Sequence, residues 1–349
     1  MIVLSGGYSK KSGNEIEGGI YTFNFDTKKG ILEKKHLLPT INPSYLCLSK
    51  NNQFLYTFEE TGQRDNPQLK AYSVNKEGQL TPINEQAIPG SAPCHLAFSP
   101  DEKFLVVACY RSGSVQVYPV KSDGSLGEIT DNAQHKGSSI NKNRQKSPHA
   151  HMVAFDKLGK VYICDLGIDQ VVVYNLVENG KLHALKDEAI TIDAGSGPRH
   201  MVFHSDGNHA FVLNELTSTV SLLKKEAGKF KVLKNYLSLD GAFSGLPSAA
   251  AIRLSKDGHF LYTSDRTINA LSIFEFDATK SMLKLIGHQP TSGETPRDFN
   301  IDPKGNWLLA AHQNTNNIVV FSIKKKSGEL KQVSEIDQIV SPTSIVFID

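Results

Sequence analysis

The segment GPRHMVFHSDGNHAFVL, residues 197–213, contains a proline, an apolar run, a polar turn and a second apolar run. The same order occurs five more times, and the chain ends on a seventh start, SPTSIVFID, residues 341–349. The prolines that mark the seven starts are Pro43, Pro93, Pro148, Pro198, Pro247, Pro296 and Pro342. A regular period of about 50 residues is typical of propellers and solenoids, so this repeat decides the fold class.

Each start is followed by an alternating segment rich in Val, Ile, Tyr and Phe, such as QVVVYNLV at residues 170–177. A turn that contains glycine then leads into a more polar strand in six of the seven copies. The copy ALSIFEFD is instead followed by ATKS, residues 278–281, which lacks the glycine. Period-2 segments bounded by Gly, Asn, Asp and Ser indicate strands, and no window sustains the 3.6-residue period of a helix.

We therefore predict an all-β fold, a seven-bladed β-propeller with four antiparallel strands per blade, in which residues 1–349 form a single domain. Blades begin near the seven prolines. The ring closes when SPTSIVFID supplies the first strand of a blade whose other three strands come from the N-terminal segment. Such closure places both termini in one sheet and removes two free edges. A β-solenoid is disfavoured by four antiparallel strands per repeat.

The composition excludes several classes of protein. The net charge of +2 and the short basic stretches give no electrostatic reason to expect nucleic acid as a partner. No apolar run approaches 18 residues, so we expect no membrane span, and MIVLSGGYSK lacks the features of a secretory signal. The four cysteines form no metal-binding pair, and three lie in apolar runs. We expect a cytoplasmic protein, a monomer or homodimer, without a cofactor or a bound metal.

Antiparallel pairing places the start of each first strand and the end of each second strand on the same rim of the propeller. This rim collects titratable and planar polar residues, whereas the opposite rim carries ordinary turn residues. Those that follow the prolines are His95, His149, His151, Arg199, His200, Arg297 and Asp298. Those at the ends of second strands are Glu59, Glu60, Tyr110, Arg111, Asp165, Asp169, Asn214, Glu215, Asp265, Arg266, His312 and Gln313, and the closing blade adds Tyr8. Convergent polar groups at the mouth of a rigid scaffold predict a small-molecule site.

Two features of this rim stay open. If SPHAH is aligned on its turn, His151 matches Arg199 and Arg297, but if it is aligned on its proline, His149 takes that place. Residues 131–147, DNAQHKGSSINKNRQKS, form a polar insertion directly before SPHAH. This insertion is either a lid over the channel or a disordered loop.

The motifs SPHAH, DLGID, GPRH and NEL resemble the lactonase family of seven-bladed propellers, which includes bacterial 6-phosphogluconolactonases and fungal muconate lactonising enzymes. The resemblance covers the whole chain and is sharpest between Ser147 and Arg266. It implies a catalytic set at the matching positions, which are His149 or His151, Arg199, Glu215 and Arg266. Asp165, His200, Asn214, Arg297 and His312 are expected to bind the substrate.

The chemistry that the resemblance implies is hydrolysis of an anionic sugar lactone, 6-phospho-D-glucono-1,5-lactone. Glu215 or a histidine of SPHAH would remove a proton from water, and Arg199 would stabilise the oxyanion. Arg266 and Arg297 would hold the anionic tail of the substrate, since arginine suits carboxylate and phosphate. A serine nucleophile is disfavoured because the chain has no G-x-S-x-G motif.

Three alternatives remain at this point. A muconate-type cycloisomerase would use the same base and arginines without a phosphate pocket. A non-enzymatic propeller would use the rim as a docking surface, although the chain lacks the WD dipeptide of common interaction propellers. A divalent cation at the rim would take oxygen ligands from Asp165, Asn214, Glu215 and Asp265.

Overall fold

The structure is a computed structural model that describes residues 1–12, 15–239 and 244–349. It is a seven-bladed β-propeller, as predicted, and each blade contains a sheet with a path of four antiparallel strands. The part of the chain that is described contains no α-helix, only the 3₁₀ turns Gln63–Asp65 and Lys186–Glu188. None of its helical segments has the length and apolar character needed to cross a membrane.

Blades are numbered here from the first proline start, with strands given from the centre outward. Blade 1 contains Cys47–Leu48, Phe54–Phe58, Gln68–Val74 and Leu80–Ala87; blade 2 contains Pro93–Phe98, Phe104–Cys109, Ser114–Pro119 and Asp131–Gln134; blade 3 contains Ala150–Phe155, Lys160–Asp165, Gln170–Leu176 and Leu182–Ala184, with Ile190–Thr191 as a further partner of the third strand. Blade 4 contains Pro198–Phe203, His209–Asn214, Thr219–Glu226 and Lys229–Leu237; blade 5 contains Ala249–Leu254, Phe260–Asp265, Ala270–Asp277 and Met282–Pro290; blade 6 contains Pro296–Ile301, Trp307–His312, Asn317–Ile323 and Leu330–Ile336.

Blade 7 closes the ring as the sequence predicts. Its innermost strand, Pro342–Ile348, pairs with Ile2–Gly7, so that Ile2 lies opposite Ile348. Gly19–Asp26 and Ile31–Pro39 complete the sheet. A short hairpin, Lys10–Ser12 with Glu15–Glu17, lies between the first two of these N-terminal strands in the chain. The closure also joins blade 7 to blade 1, because Thr343 donates a hydrogen bond to the carbonyl of Ser44 at 2.8 Å.

Apolar side chains between adjacent blades hold the ring together. Seven clusters occur in the described ranges, and each draws its members from two neighbouring blades. Phe104–Cys109 shows the reason: Val106 and Ala108 pack toward blade 3, whereas Leu105 and Val107 pack toward blade 1. A second strand is buried on both faces, and this explains why these segments are apolar throughout instead of alternating.

The four cysteines are all unpaired; Cys94, Cys109 and Cys164 are buried, and Cys47 is partly buried. The predicted insertion is shorter than expected, because Asp131–Gln134 is the outer strand of blade 2. The extra segment is therefore residues 135–147, which follows that strand and leads into blade 3.

Candidate active site

A β-bulge opens the first strand of several blades and turns one side chain into the channel. In blade 4, Pro198 lies opposite Asn214 and His200 opposite Leu213, so Arg199 is the extra residue. The same irregularity makes Cys94, His151 and Arg297 the extra residues of blades 2, 3 and 6. Bulges re-aim side chains and are frequent beside active sites. The alignment that the sequence left open is thus resolved: His151, not His149, is equivalent to Arg199 and Arg297.

Glu215 lies at the centre of a cluster of three arginines at this end of the channel, which we call the mouth. Its Oε2 is 3.0 Å from Arg199 Nε and 3.0 Å from Arg266 Nη2, and its Oε1 is 2.6 Å from Arg144 Nη2. Arg266 is anchored by bonds from Nε and Nη2 to the carbonyls of Ser248 and Ala249. The predicted grouping of Arg199, Glu215 and Arg266 is therefore present in the structure.

Burial and charge together set the ionisation of this cluster. Burial alone would raise the pKa of Glu215, but the three guanidinium groups outweigh it and hold that pKa far below its usual range. Burial lowers the pKa of Arg199 to about 10, so the side chain remains a cation at neutral pH. Exposed fractions of the side chains are 5% for Glu215, 3% for Arg199, 15% for Arg266 and 42% for Arg144. The cluster is a fixed, mostly buried array with three positive charges and one negative charge.

His149 lies beside this array and contacts it through Tyr110. The two rings stack at 4.4 Å between centroids, and the hydroxyl of Tyr110 accepts a hydrogen bond from Arg144 at 3.0 Å. Nδ1 of His149 is 2.9 Å from the carbonyl oxygen of Tyr110, which requires a proton on Nδ1. Nε2 of the neutral ring therefore carries a lone pair, and this half-buried residue can accept a proton at the mouth.

Below the mouth, the channel narrows at three buried histidines, which we call the waist. The ring of His200 lies 5.3 Å from that of His151 and 5.8 Å from that of His95. Burial lowers the pKa of His95 to about 3 and those of His151 and His200 well below the usual range. All three are neutral, and Nε2 of His200 accepts a hydrogen bond from Arg199 at 3.1 Å. His200 thus positions Arg199 from beneath.

A second polar cluster lies across the channel from Glu215. Glu60 accepts hydrogen bonds from Tyr8, at 2.7 Å, and from Ser44. Arg297 stacks on the ring of Tyr8 at 5.4 Å and faces Gln313 at 3.4 Å. Both clusters border a cavity of about 10 Å³ lined by Glu60, His151, Arg199 and Arg297 among others. Such a volume holds about one water molecule, and the mouth lies directly above it.

Three residues that we expected to contact the substrate lie elsewhere. The carboxylate of Asp165 accepts the backbone N–H groups of His149 and Gly167 and contacts His135 at 2.6 Å. Asn214 donates to Thr219 and Ser221 within blade 4. His312 is fully buried, and Gly293 packs directly against its ring.

The reason is the alternation of a strand. Asp165, Asn214 and His312 are the last residues of second strands and face into the blades. Glu215 and Gln313, which follow Asn214 and His312, instead contact arginines of the mouth. Asp265 follows the same rule, since its carboxylate binds Ser218 and backbone N–H groups. The carboxylates of Asp165, Glu215 and Asp265 are therefore engaged in separate contacts, and Asn214 makes its hydrogen bonds through Nδ2.

Arg144 is the residue of the mouth that the sequence did not single out. It belongs to the segment 135–147, which is ordered by its own contacts: Gln145 donates to the carbonyl of Leu166, and His135 contacts Asp165. Arg144 then reaches Glu215, 71 residues away in the chain. The segment lies over one side of the mouth, and only its long polar composition hinted at this position.

The larger opening of the channel is on the opposite, turn-bearing rim. A cavity of about 850 Å³ enters there, lined by apolar residues such as Met152, Met201, Val202 and Phe347 and by hairpin-turn residues. It reaches the waist at Tyr45 and His95. Arg253 and Asp298 form an ion pair of 2.9 Å close to it. The titratable groups that could carry a reaction are concentrated at the mouth.

Comparison with known proteins agrees with this architecture. The model of the family described as lactonase, 7-bladed beta-propeller, matches residues 2–347. A 6-phosphogluconolactonase of Bacillus subtilis is 33% identical over 343 residues, covering 97% of this chain and 96% of the relative. A 6-phosphogluconolactonase of Formosa agariphila is 36% identical over 324 residues, covering 91% and 92%. The periplasmic gluconolactonase of Pseudomonas aeruginosa superposes with a TM-score of 0.93 at 29% identity, covering 100% and 99%. The chain therefore belongs to the lactonase family of seven-bladed β-propellers, enzymes that hydrolyse lactones.

Proposed function

We propose that this enzyme hydrolyses a phosphorylated sugar lactone, 6-phospho-D-glucono-1,5-lactone, to 6-phosphogluconate at the mouth. The observation that carries the proposal is the charge of the array around Glu215, where three guanidinium groups share one carboxylate. Two positive charges remain uncompensated in a place largely shielded from water. Such a site favours an anionic substrate, and arginine is suited to phosphate and carboxylate oxygens.

The arginines divide into two kinds by exposure. Arg199 is almost fully buried and held by His200 and the carbonyl of Ala250, so it is fixed before the substrate arrives. A fixed cation is suited to the oxygen on which charge develops during attack. Arg144 and Arg266 are more exposed and can bind the phosphate of the substrate from the open side of the mouth. Arg297 faces the same cavity from the opposite wall and is available to the sugar hydroxyls.

His149 is the base that best fits the geometry. Glu215 and His151 both hold protons weakly, since their pKa values lie well below the usual ranges. His149 has its Nδ1 proton fixed by the carbonyl of Tyr110, which leaves Nε2 free to take a proton from water. The role of Glu215 is then to hold the three arginines in place through ion pairs, and it does not act as the base.

The reaction proceeds in two steps. His149 takes one proton of a water molecule as the water oxygen bonds to the lactone carbonyl carbon, and Arg199 stabilises the resulting oxyanion. The carbonyl then re-forms, the bond between this carbon and the ring oxygen breaks, and the ring oxygen leaves with the proton that His149 held. The product carries a new carboxylic acid beside its phosphate, and this acid releases its proton to water to become a carboxylate. Since such lactones also hydrolyse unaided, a sparse site suffices.

The experiment compares fresh 6-phospho-D-glucono-1,5-lactone with unphosphorylated D-glucono-1,5-lactone, each corrected for the spontaneous rate. We expect kcat/KM to favour the phosphorylated lactone, because binding its phosphate uses the surplus positive charge. An equal or reversed preference would contradict the phosphate assignment while leaving the lactonase activity intact.

A matched pair of variants tests the base. We expect His149→Gln to lower kcat by about 10²–10⁴-fold, since that is the usual contribution of a general base. His151→Gln, two residues away on the same strand start, should lower kcat much less. The reverse order would assign the base to His151.

The enzyme would act in the pentose phosphate pathway. We propose a cytoplasmic location, which four unpaired cysteines favour because reducing compartments maintain free thiols. The small-molecule lactone is the one partner that the site requires, and a monomer or homodimer suffices for it.

A further inference from the structure

The hairpin turn between the first two strands of blade 4 brings three possible metal ligands together on the rim opposite the mouth. Asp206 Oδ2 is 3.1 Å from Nδ1 of His204 and 2.7 Å from Nδ1 of His209. One ligand atom from each residue lies within 4.8 Å of the others. Both histidines are buried, and the side chain of Asp206 is 28% exposed. The strand length places this turn about 20 Å from the mouth.

The other blades show what this turn requires without such a site. The residue equivalent to His204 is a serine in blades 1, 2 and 5, and its Oγ accepts the backbone N–H at the start of the second strand. In blade 4 that N–H, from His209, is accepted by Asp206 Oδ1 at 3.0 Å. The imidazole of His204 is therefore not needed for the bond that its equivalents make.

His209 and Ser281 together take the place of a glycine–aromatic pair that recurs at other blade junctions. At four junctions a left-handed glycine of one blade packs on an aromatic ring of the preceding blade: Gly124 on Phe54, Gly180 on Phe104, Gly328 on Phe260 and Gly30 on Trp307. At the junction of blades 4 and 5 the pair is His209 and Ser281, joined by a hydrogen bond of 2.9 Å. Ser281 has φ +49°, a left-handed conformation that disfavours serine. Two departures from the repeat thus occur together, and they contact each other.

The chemistry of the group explains the combination. With its proton on Nε2, His209 donates to Ser281 Oγ and presents the lone pair of Nδ1 toward Asp206. Histidines that bind metals usually donate their second N–H to an oxygen in this way. Tetrahedral Zn²⁺ places its ligand atoms about 3.4 Å apart, which lies within the spread of distances here.

We propose that His204, Asp206 and His209 bind a divalent transition-metal ion of the Zn²⁺ class, with Ser281 orienting His209. Two imidazoles and one carboxylate suit Zn²⁺, Co²⁺ and Ni²⁺ better than Mg²⁺ or Ca²⁺, which prefer oxygen. The ion binds Nδ1 of both imidazoles and displaces the 3.3 Å hydrogen bond that Nδ1 of His204 accepts from the backbone N–H of Asp206. Water completes its coordination on the exposed side. The site joins blade 4 to blade 5 and is independent of the proposed lactone chemistry.

Two measurements test the proposal. The full chain is freed of metal with a chelator and titrated with ZnCl₂ in a calorimeter. Its melting temperature is then measured in the presence of Zn²⁺ or Mg²⁺. We expect one equivalent of Zn²⁺ to bind and the melting temperature to rise with Zn²⁺ concentration, since a cation that binds only the folded state stabilises it. Mg²⁺ should have no such effect.

Variants that restore the repeat locate the site. His204→Ser, His209→Phe and Ser281→Gly combined recreate the arrangement of blades 2 and 3 and should fold without binding Zn²⁺. Ser281→Gly alone should weaken binding by about 10-fold or more, as loss of such an outer partner does. His259→Ser, which removes an exposed histidine from the equivalent turn of blade 5, should leave binding unchanged.

Asp206→Asn provides a second readout, because asparagine can keep the turn bonds through Oδ1 while removing the charge. If the combined variant does not fold, loss of Zn²⁺ binding in Asp206→Asn supports the site. No binding by the wild type, or equal binding by Asp206→Asn or a folded combined variant, overturns the proposal. Activity toward lactones should be the same with and without Zn²⁺, which separates this outcome from any failure of the proposed reaction.

Discussion

The two ends of the central channel are built from the same seven strands, yet they differ in almost every property. At the wide end a cavity of about 850 Å³ is lined by apolar side chains and hairpin turns. At the mouth the cavity is only about 10 Å³, but Arg199 and Arg297 face it, and Glu215 and two further arginines stand close by. The difference shows that fixed charge, rather than volume, marks the reactive end.

The cause of the difference lies in how strands begin and turn. At the wide end, polar side chains of the hairpin turns form hydrogen bonds within the same turn. Ser99, for example, donates to Asp101 and accepts the backbone N–H of Phe104. At the mouth, bulges place an extra residue such as Arg199 in the channel, where strand pairing does not use it. Side chains freed from local bonds are available for a ligand.

Among the changes that compare the two ends of the channel, removal of the buried arginine of the mouth should have the largest effect. We expect Arg199→Met to lower kcat/KM by about 10²–10³-fold, because a preorganised charge at the oxyanion is lost. The measurement is hydrolysis of fresh lactone above the spontaneous rate. Arg111→Met, at an exposed arginine of the same rim, is the control and should retain activity. Equal activity of Arg199→Met and the control would mean that charge at the mouth does not drive the reaction.

The waist between the two ends should make the protein sensitive to acid. Burial lowers the pKa of His95 to about 3, with Arg253 and Arg199 adding repulsion. The unfolded chain takes up this proton near pH 6.5 and the folded chain does not, so stability falls as the pH drops below 6.5. Between pH 6.5 and 4 the free energy of unfolding should fall by about 3 kcal/mol from this residue.

Urea unfolding at several pH values measures this slope. His95→Asn keeps an acceptor for the backbone N–H of Val153 and removes the titrating ring, so the variant should show a shallower slope. The exposed His259→Asn should match the wild type. An unchanged slope in His95→Asn would show that the waist does not exclude protons.

Arg144, in the segment 135–147 beside the mouth, should contribute less to catalysis than Arg199. We expect Arg144→Gln to raise KM by about 10-fold with little change in kcat, since a charged hydrogen bond is worth about one such factor. Lys142→Gln, on the exposed side of the same segment, is the control. A fall in kcat with an unchanged KM would instead place Arg144 in the chemical step.

A substitution at the wide end should have almost no effect on the catalytic rate. Val202→Thr changes the polarity of the wide cavity with almost no change of shape, and we expect kcat/KM to stay at the wild-type value. Steady-state rates under the conditions used for Arg199→Met give the comparison. A loss as large as that of Arg199→Met would move the reactive site to the other end of the channel.

Much of the site followed from chain direction alone. Because strands of a blade alternate in direction, Arg199 at one start and Glu215 and Arg266 at two ends had to share a rim. Which neighbour at a strand end faces the mouth did not follow. Asp165, Asn214 and His312, which we expected to bind the substrate, make their contacts away from the mouth. One residue along the strand reverses the face, and turn chemistry alone does not show where the strand ends.

The position of Arg144 at the mouth could not be predicted from the sequence either. Its segment has no counterpart in the other blades, so the repeat gave no position for it. Its contact with Glu215 depends on how residues 135–147 fold against blade 3, through His135 and Gln145. Such a contact is set by loop conformation and has no signature in local sequence.

The sequence by itself determined the ring: seven repeats, their strands and the closure of the last by the first, because periodic burial and turn residues act locally in each copy. It also determined which rim gathers the ionisable groups. Only the tertiary structure decided how those groups pair, since the bulges that turn Arg199 and His151 inward and the loop that brings in Arg144 arise from contacts between distant residues. Charges far apart in the chain become one array only when seven blades have packed.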